Sequence, residues 1–262
     1  MDRITKALEL ARQGQQRPSL SSQRVEHAKE IDYTKTQTVQ VSPEILRKNR
    51  VVSGFLKEPL ADAYRVLRTR VLRRVQHNNW KTIGVTSAGP GDGKTLTAIN
   101  LAISIAMEPN YTVLLIDADL RRPSVHTFFG IKPKYGLGDY LTSEMAVEEL
   151  LIHPGIERFV ILPTPKSVDG SSELLALSKM VQLVQDLRTR YSSRLIIFDL
   201  PPVLVGDDVA ALSPLLDAIL LVVEDGKTQA DELARAVELL EGVNLLGTVL
   251  NKSAEIGYDY AY

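Results

Sequence analysis

No cysteine occurs among the 262 residues, which excludes a disulfide scaffold, a thiolate metal site and a cysteine nucleophile, and suits a reducing compartment. The four histidines (His27, His77, His126 and His153) are scattered without ligand spacing, so a zinc site loses its other common donor. Long apolar runs are missing as well. No window of about eighteen residues is both uncharged and apolar, and the opening MDRITKALEL lacks the apolar stretch of a secretion signal. A cytoplasmic chain that does not itself cross a bilayer is the expectation. Aromatic residues are 6 % of the chain and do not interleave with the basic residues at its front, so no nucleic acid is expected as a partner.

Hydrophobic residues make up 44 % and charged ones 24 %, the ordinary balance of a globular domain that can bury a good-sized core. The net charge of -1 conceals an asymmetry: residues 1–80 hold sixteen Lys/Arg against eight Asp/Glu, and residues 81–262 hold fifteen against twenty-four. Two readings of the basic front stay open, a solvated helix and arm, or a surface for an acidic partner or anionic lipid.

Periodicity divides the chain in three. Residues 1–55 read as an amphipathic helix, with Ile4, Leu8 and Ala11 on one face of residues 2–13, followed by a polar, mostly extended or disordered arm over 14–50. From Pro59 the residues Leu60, Ala63, Tyr64, Leu67, Val71 and Val75 follow helical spacing and open a domain over residues 56–251. Within it, strand patterns at 81–86, 113–116, 159–162, 195–199, 218–223 and 246–250 alternate with helix patterns at 94–107, 172–191 and 228–240. Several of the strands are continuous apolar runs, as in parallel sheets covered on both faces. The expected fold is α/β, a doubly wound, mostly parallel sheet flanked by helices. Residues 252–262 read as a polar tail with Tyr258, Tyr260 and Tyr262.

The segment Ala88-Gly-Pro-Gly-Asp-Gly-Lys-Thr95 fits a phosphate-binding P-loop, with strand before it and helix after it. Gly89, Gly91 and Gly93 let backbone N–H groups turn toward phosphate oxygens, and the following helix aims its positive end at the same anions. Lys94 adds a charge at the β- and γ-phosphates, and the Thr95 hydroxyl suits Mg²⁺. Asp92 and Leu96 complete the expected nucleotide-binding stretch, and the implied cofactors are ATP and Mg²⁺.

Two apolar strands end in acids: Val113-Leu-Leu-Ile-Asp117-Ala-Asp119 and Leu195-Ile-Ile-Phe-Asp199. Ligands of doubly wound sheets sit at the carboxyl ends of strands, so Asp117 and Asp199 should converge on metal and γ-phosphate, with Asp119 pointing the same way. Asp199 reads as the Mg²⁺-side carboxylate. Asp117 reads either as the base for the nucleophile or as a metal ligand.

With these segments in place, the chain from about residue 55 resembles the cytoplasmic catalytic domain of the bacterial tyrosine kinases, autokinases of capsular and exopolysaccharide export. The matching motifs are the P-loop, Asp117-Ala-Asp119-Leu-Arg121, Gly136-Leu-Gly-Asp-Tyr-Leu141, Ser172-Glu-Leu-Leu175, Pro201-Pro-Val-Leu204, Thr248-Val-Leu-Asn-Lys252 and the tyrosine-bearing tail. The resemblance implies a P-loop NTPase fold and ATP-dependent tyrosine autophosphorylation. It adds Arg121 to the catalytic group, Asn251 to the nucleotide contacts, and Tyr258, Tyr260 and Tyr262 as acceptors in trans. It further implies a homo-oligomer, possibly a ring, joined through Asp62, Arg65 and Arg68, where Asp62 stands in the place of the family's Glu. A membrane-embedded polysaccharide co-polymerase is the implied partner, which would put the chain at the inner membrane periphery. A regulatory P-loop ATPase of assembly or partition type, without significant kinase activity, is the alternative; partition ATPases carry a Lys where Gly89 stands here.

Overall fold

A computed structural model describes residues 36–55, 58–190 and 193–253. The expected helix over 2–13, most of the arm and the three tail tyrosines lie outside them. The strands are β1 (Gln37–Thr38), β2 (Thr82–Ser87), β3 (Thr112–Asp117), β4 (Ile152–His153), β5 (Phe159–Leu162), β6 (Arg194–Asp199), β7 (Ala218–Glu224) and β8 (Leu245–Asn251). The helices are α1 (Pro43–Lys48), α2 (Pro59–Asn78), α3 (Lys94–Ala106), α4 (Val125–Phe128), α5 (Leu137–Thr142), α6 (Ser171–Leu175), α7 (Ser178–Arg190), α8 (Asp208–Leu212) and α9 (Ala230–Leu239).

The strands form one sheet in the order β1-β4-β5-β3-β6-β2-β7-β8. Every neighbouring pair is parallel except β4 with β5. The doubly wound, mostly parallel sheet expected from the apolar runs is therefore present. Each run alternates between two cores. Val113, Leu115, Leu195 and Ile197 face α2 and α3, while Leu114, Ile116, Ile196 and Phe198 face α5, α7 and α9. A strand buried on both faces needs no polar alternation, which is why these segments read as unbroken apolar stretches.

The arm reading is corrected at its end. Residues 36–50, expected as extended or disordered, contribute β1 and α1. Leu46 and Val51 enter the core, and the buried Asn100 of α3 accepts the Val52 and Ser53 amides through Oδ1 and donates to Arg50 O. A single buried amide on α3 thus ties down a segment whose own sequence shows no period. The helix expected over 172–191 is likewise two, α6 and α7. The first packs on α8 and the second on β6, so one straight axis cannot serve both.

Candidate functional site

The site is built at the carboxyl ends of β2, β3 and β6. Between Ser87 and Lys94 the chain turns through Gly91 and Gly93, whose φ angles of 86° and 94° strain any residue with a Cβ. A side chain at Gly93 would also strike the Asn251 amide. Asp92 is buried and accepts the Gly89 amide through Oδ2 at 3.2 Å, so its side chain braces the loop from inside. Lys94, Thr95 and Leu96 open α3, and their amides have no partner within the helix, an arrangement suited to phosphate oxygens. The Leu96 side chain itself packs on the core.

Parallel pairing sets Asp117 directly beside Asp199 in register. Lys94 Nζ donates to Asp119 Oδ2 at 2.8 Å and stands 3.7 Å from Asp199 Oδ1. The Thr95 hydroxyl donates to Asp199 Oδ2 at 2.7 Å. Asp117 Oδ2 accepts the Ser124 and Val125 amides, each at 3.0 Å, and Asp119 Oδ1 accepts the Arg122 amide at 2.9 Å. One oxygen of Asp117 and one of Asp199 remain buried without a hydrogen-bond partner. Buried acceptors are seldom left unpaired, so these two oxygens await a donor or a cation.

The electrostatics follow from burial. Desolvation, and next to it the charge of Asp199, pushes the Asp117 carboxyl well above the ordinary carboxylate range. Burial raises Asp199 to about 6, against the opposing pull of Lys94 and Thr95. Burial alone would lower the Lys94 ammonium, but Asp199, Asp119 and Asp117 together hold it above its usual value. A divalent cation fits this donor set, with the Thr95 hydroxyl and the unpaired oxygens of Asp117 and Asp199 available to it. Among the described residues no trio of His, Cys, Asp or Glu forms a cage made of protein alone. Mg²⁺ is characteristically held by one or two carboxylates with phosphates and water completing its shell.

The structure brings Lys94, Thr95, Asp117, Asp119 and Asp199 together and turns Arg121 elsewhere. The Arg121 guanidinium meets Asp208 Oδ2 at 2.7 Å and Asp207 Oδ1 at 3.2 Å, at the start of α8. Asn251 reaches the loop but spends its amide on Asp92 O at 2.8 Å. Of the residues expected at an interface, Asp62 and Arg65 pair with each other on α2. Arg68 folds onto its own chain, donating to Ser104 O at 3.1 Å and pairing with Glu108 at 2.9 Å.

Sequence reasoning missed a latch behind the P-loop. Glu224, at the end of β7, binds Lys227 and Lys252 at 2.9 Å each. Lys252 Nζ also donates to Gly91 O at 2.8 Å, and Lys227 Nζ to Pro90 O at 3.3 Å. The signal was available, since charged residues at the carboxyl ends of β7 and β8 obey the same rule that singled out Asp117.

Residues 83–257 match the family described as the CobQ/CobB/MinD/ParA nucleotide binding domain. The chain is 32 % identical over 220 residues to the tyrosine-protein kinase YwqD of Bacillus subtilis (strain 168), covering 81 % of this chain and 92 % of YwqD. It is 33 % identical over 204 residues to the tyrosine-protein kinase etk of Escherichia coli (strain K12), covering 76 % of this chain but only 28 % of etk. The solved kinase domain of Escherichia coli tyrosine kinase ETK aligns with a TM-score of 0.71 at 30 % identity, over 86 % of this chain and 93 % of that one. The septum site-determining protein MinD of Pyrococcus horikoshii OT3 aligns with a TM-score of 0.55 at 20 % identity, over 65 % of this chain and 69 % of that one, a likeness of fold.

Proposed function

Since the chain belongs to the bacterial tyrosine-protein kinases, we propose that it transfers the γ-phosphoryl group of ATP to tyrosine hydroxyls, its own among them. The observation that carries this reading is the in-register pair Asp117 and Asp199, set against Lys94 and Thr95 at the mouth of a P-loop. A P-loop with one acid can serve hydrolysis. A second acid, buried and raised in pKa, supplies a group able to take a proton from an incoming phenol.

In the proposed reaction the amides of the loop and of the first turn of α3 cradle the phosphates, and Lys94 leaves Asp119 to follow the charge of the γ-phosphate. Thr95 and Asp199 would hold Mg²⁺, which would neutralise charge on the phosphoryl oxygens, leaving the free oxygen of Asp117 for the phenol. Asp117 orients the phenol and receives its proton. Asp119 keeps Lys94 aligned between turnovers. Arg121, tied to Asp207 and Asp208, keeps the loops after β3 and β6 together at the rim of the site. Tyr258, Tyr260 and Tyr262 are acceptors, reached in trans within an oligomer to which Asp62 and Arg65 contribute an exposed pair. A membrane-embedded polysaccharide co-polymerase is the partner, and pacing of exopolysaccharide export is the biological role. Among the described residues no helix is long and apolar enough to cross a membrane, so such a partner would supply the anchor.

The test is incubation of purified chain with ATP and Mg²⁺, followed by mass mapping of phosphotyrosine, with Lys94→Ala as control. Phosphotyrosine in the parent and none in the variant supports the reading. ATP turnover without phosphotyrosine would leave a regulatory ATPase instead. Light scattering of Arg65→Ala tests the assembly, since an unchanged mass with and without nucleotide would remove that residue from the interface.

A further inference from the structure

The described tyrosines differ sharply in their surroundings. Tyr64 is buried. The Tyr111 hydroxyl accepts from Gln76 Nε2 at 2.8 Å, and the Tyr140 ring lies under the Lys179 ammonium at 5.0 Å. Tyr135 alone among them is exposed, at 39 %. It sits in the loop between α4 and α5, and hydrogen bonds fix where that loop lies. Ile116 pairs with Leu162, so Pro163 stands level with Asp117. Pro163 O accepts the Leu137 amide at 2.8 Å, and the neighbouring Thr164 hydroxyl donates to Asp117 O at 2.7 Å. Neighbouring strands lie about 4.8 Å apart, so the loop that presents Tyr135 rests one strand away from the carboxyl of Asp117.

We propose that Tyr135 is a phosphoacceptor of this kinase, separate from the tyrosines of residues 258–262, presented at the rim of the phosphoryl-transfer site. The inference rests on the tyrosine-kinase reading. In the step, the Tyr135 phenol oxygen bonds to the γ-phosphorus of ATP as the bond from that phosphorus to the β–γ bridging oxygen breaks. The phenol proton passes to Asp117, and ADP leaves with the bridging oxygen.

The product has a ready counter-charge. Lys134 Nζ is 4.8 Å from the Tyr135 ring centroid, and Lys132 lies three residues before Tyr135. The nearest carboxylate in sequence is Asp139, one oxygen of which is taken up by the Gly136 amide. A phosphotyrosine carries roughly -1.5 to -2 charges at neutral pH, close to what the two lysines neutralise. The segment over 255–262 has the opposite character, with Glu255 and Asp259 among its tyrosines. The presentation is also firm: Gly136 N donates to Asp139 Oδ2 at 2.9 Å, which holds the residue after Tyr135 at the start of α5.

The experiment uses the full chain with ATP and Mg²⁺, mapping phosphotyrosine by mass spectrometry in the parent, Tyr135→Phe, Lys94→Ala and a variant with Phe at 258, 260 and 262. The expected result is a phosphorylated Tyr135 in the parent and in the triple variant, absent from Lys94→Ala. Adding Tyr135→Phe to the triple variant should remove most of the remaining phosphotyrosine, and Tyr135→Phe alone should leave the signal at 258–262 in place. Phosphate confined to residues 258–262 overturns this inference and leaves the kinase reading standing. Phosphate on Tyr135 that survives Lys94→Ala also overturns it, because a contaminating kinase would be the source. No phosphotyrosine anywhere overturns both.

Discussion

Asp199 shows how the site trades stability for chemistry. Its carboxyl is fully buried and titrates near 6, above the ordinary value, so the folded protein holds a proton there that the unfolded chain has released. Between pH 4 and pH 6 the folded state therefore binds more protons, and stability without nucleotide falls as pH rises through that window. Asp117 shifts in the same direction and adds to the slope. Asp199→Asn keeps the shape and removes the titration. Urea melts of the nucleotide-free variant should show a weaker pH dependence and a midpoint at pH 7 equal to or above the parent's. Phosphorylation should nonetheless fall, and Asp117→Asn should lower it by at least ~10²-fold, the scale of a lost general base. An Asp199→Asn protein that is much less stable than its parent at pH 7 would show that Lys94 and Thr95 outweigh the burial cost.

At the scale of elements, the P-loop is held from behind as well as filled from in front. Glu224 gathers Lys227 and Lys252, and these reach the carbonyls of Pro90 and Gly91. Glu224→Gln loses the charge that keeps both lysines on the loop while leaving the catalytic carboxylates untouched. The expected outcome in steady-state kinetics is a higher KM for ATP with kcat little changed, since a looser loop binds ground and transition states equally poorly. A fall in kcat alone would place the latch in the chemical step. β2 carries a second constraint. A Cβ on Gly84 would come within 2.6 Å of Leu200 Cδ1 and 2.8 Å of Leu216 Cδ1. Gly84→Ala should cost about 1–3 kcal/mol in a thermal or urea melt, the usual penalty for overpacking. Because Leu200 directly follows Asp199, it should also weaken nucleotide binding. An unchanged melt would show that both leucines have room to move.

These elements were unequally legible in the sequence. The six long strands declared themselves because several are continuous apolar runs; the range 159–162 is unchanged, four others gain a residue at one or both ends, and 81–86 slides by one to Thr82–Ser87. The acids were legible because a strand that stops at an Asp is rare in an apolar run. Arg121 was not, because its ion pairs with Asp207 and Asp208 join loops more than eighty residues apart. The pairing of Arg68 with Glu108 and the Glu224 latch escaped for the same reason: each is fixed by a partner outside its own element. The short elements β1 and α1 left no periodic trace, since two and six residues are too few to show one.

For the whole molecule, the strand order has a consequence for how the protein is made. The P-loop strand β2 lies between β6 and β7. A ribosome delivers Thr82–Ser87 early, but the first strand able to pair with it, Arg194–Asp199, emerges more than a hundred residues later. At about 5–20 residues per second, the strand that carries the phosphate loop waits several seconds without a neighbour. A nascent chain stalled before residue 194 therefore has the lysine and the glycines but no sheet to set Asp199 against Thr95. Released chains stalled at 190 should fail to be retained on immobilised ATP, while chains reaching 253 should be held. Nucleotide can then act as a late stabiliser of finished protein only, and until β6 arrives the apolar edges of β2 depend on chaperones or on speed.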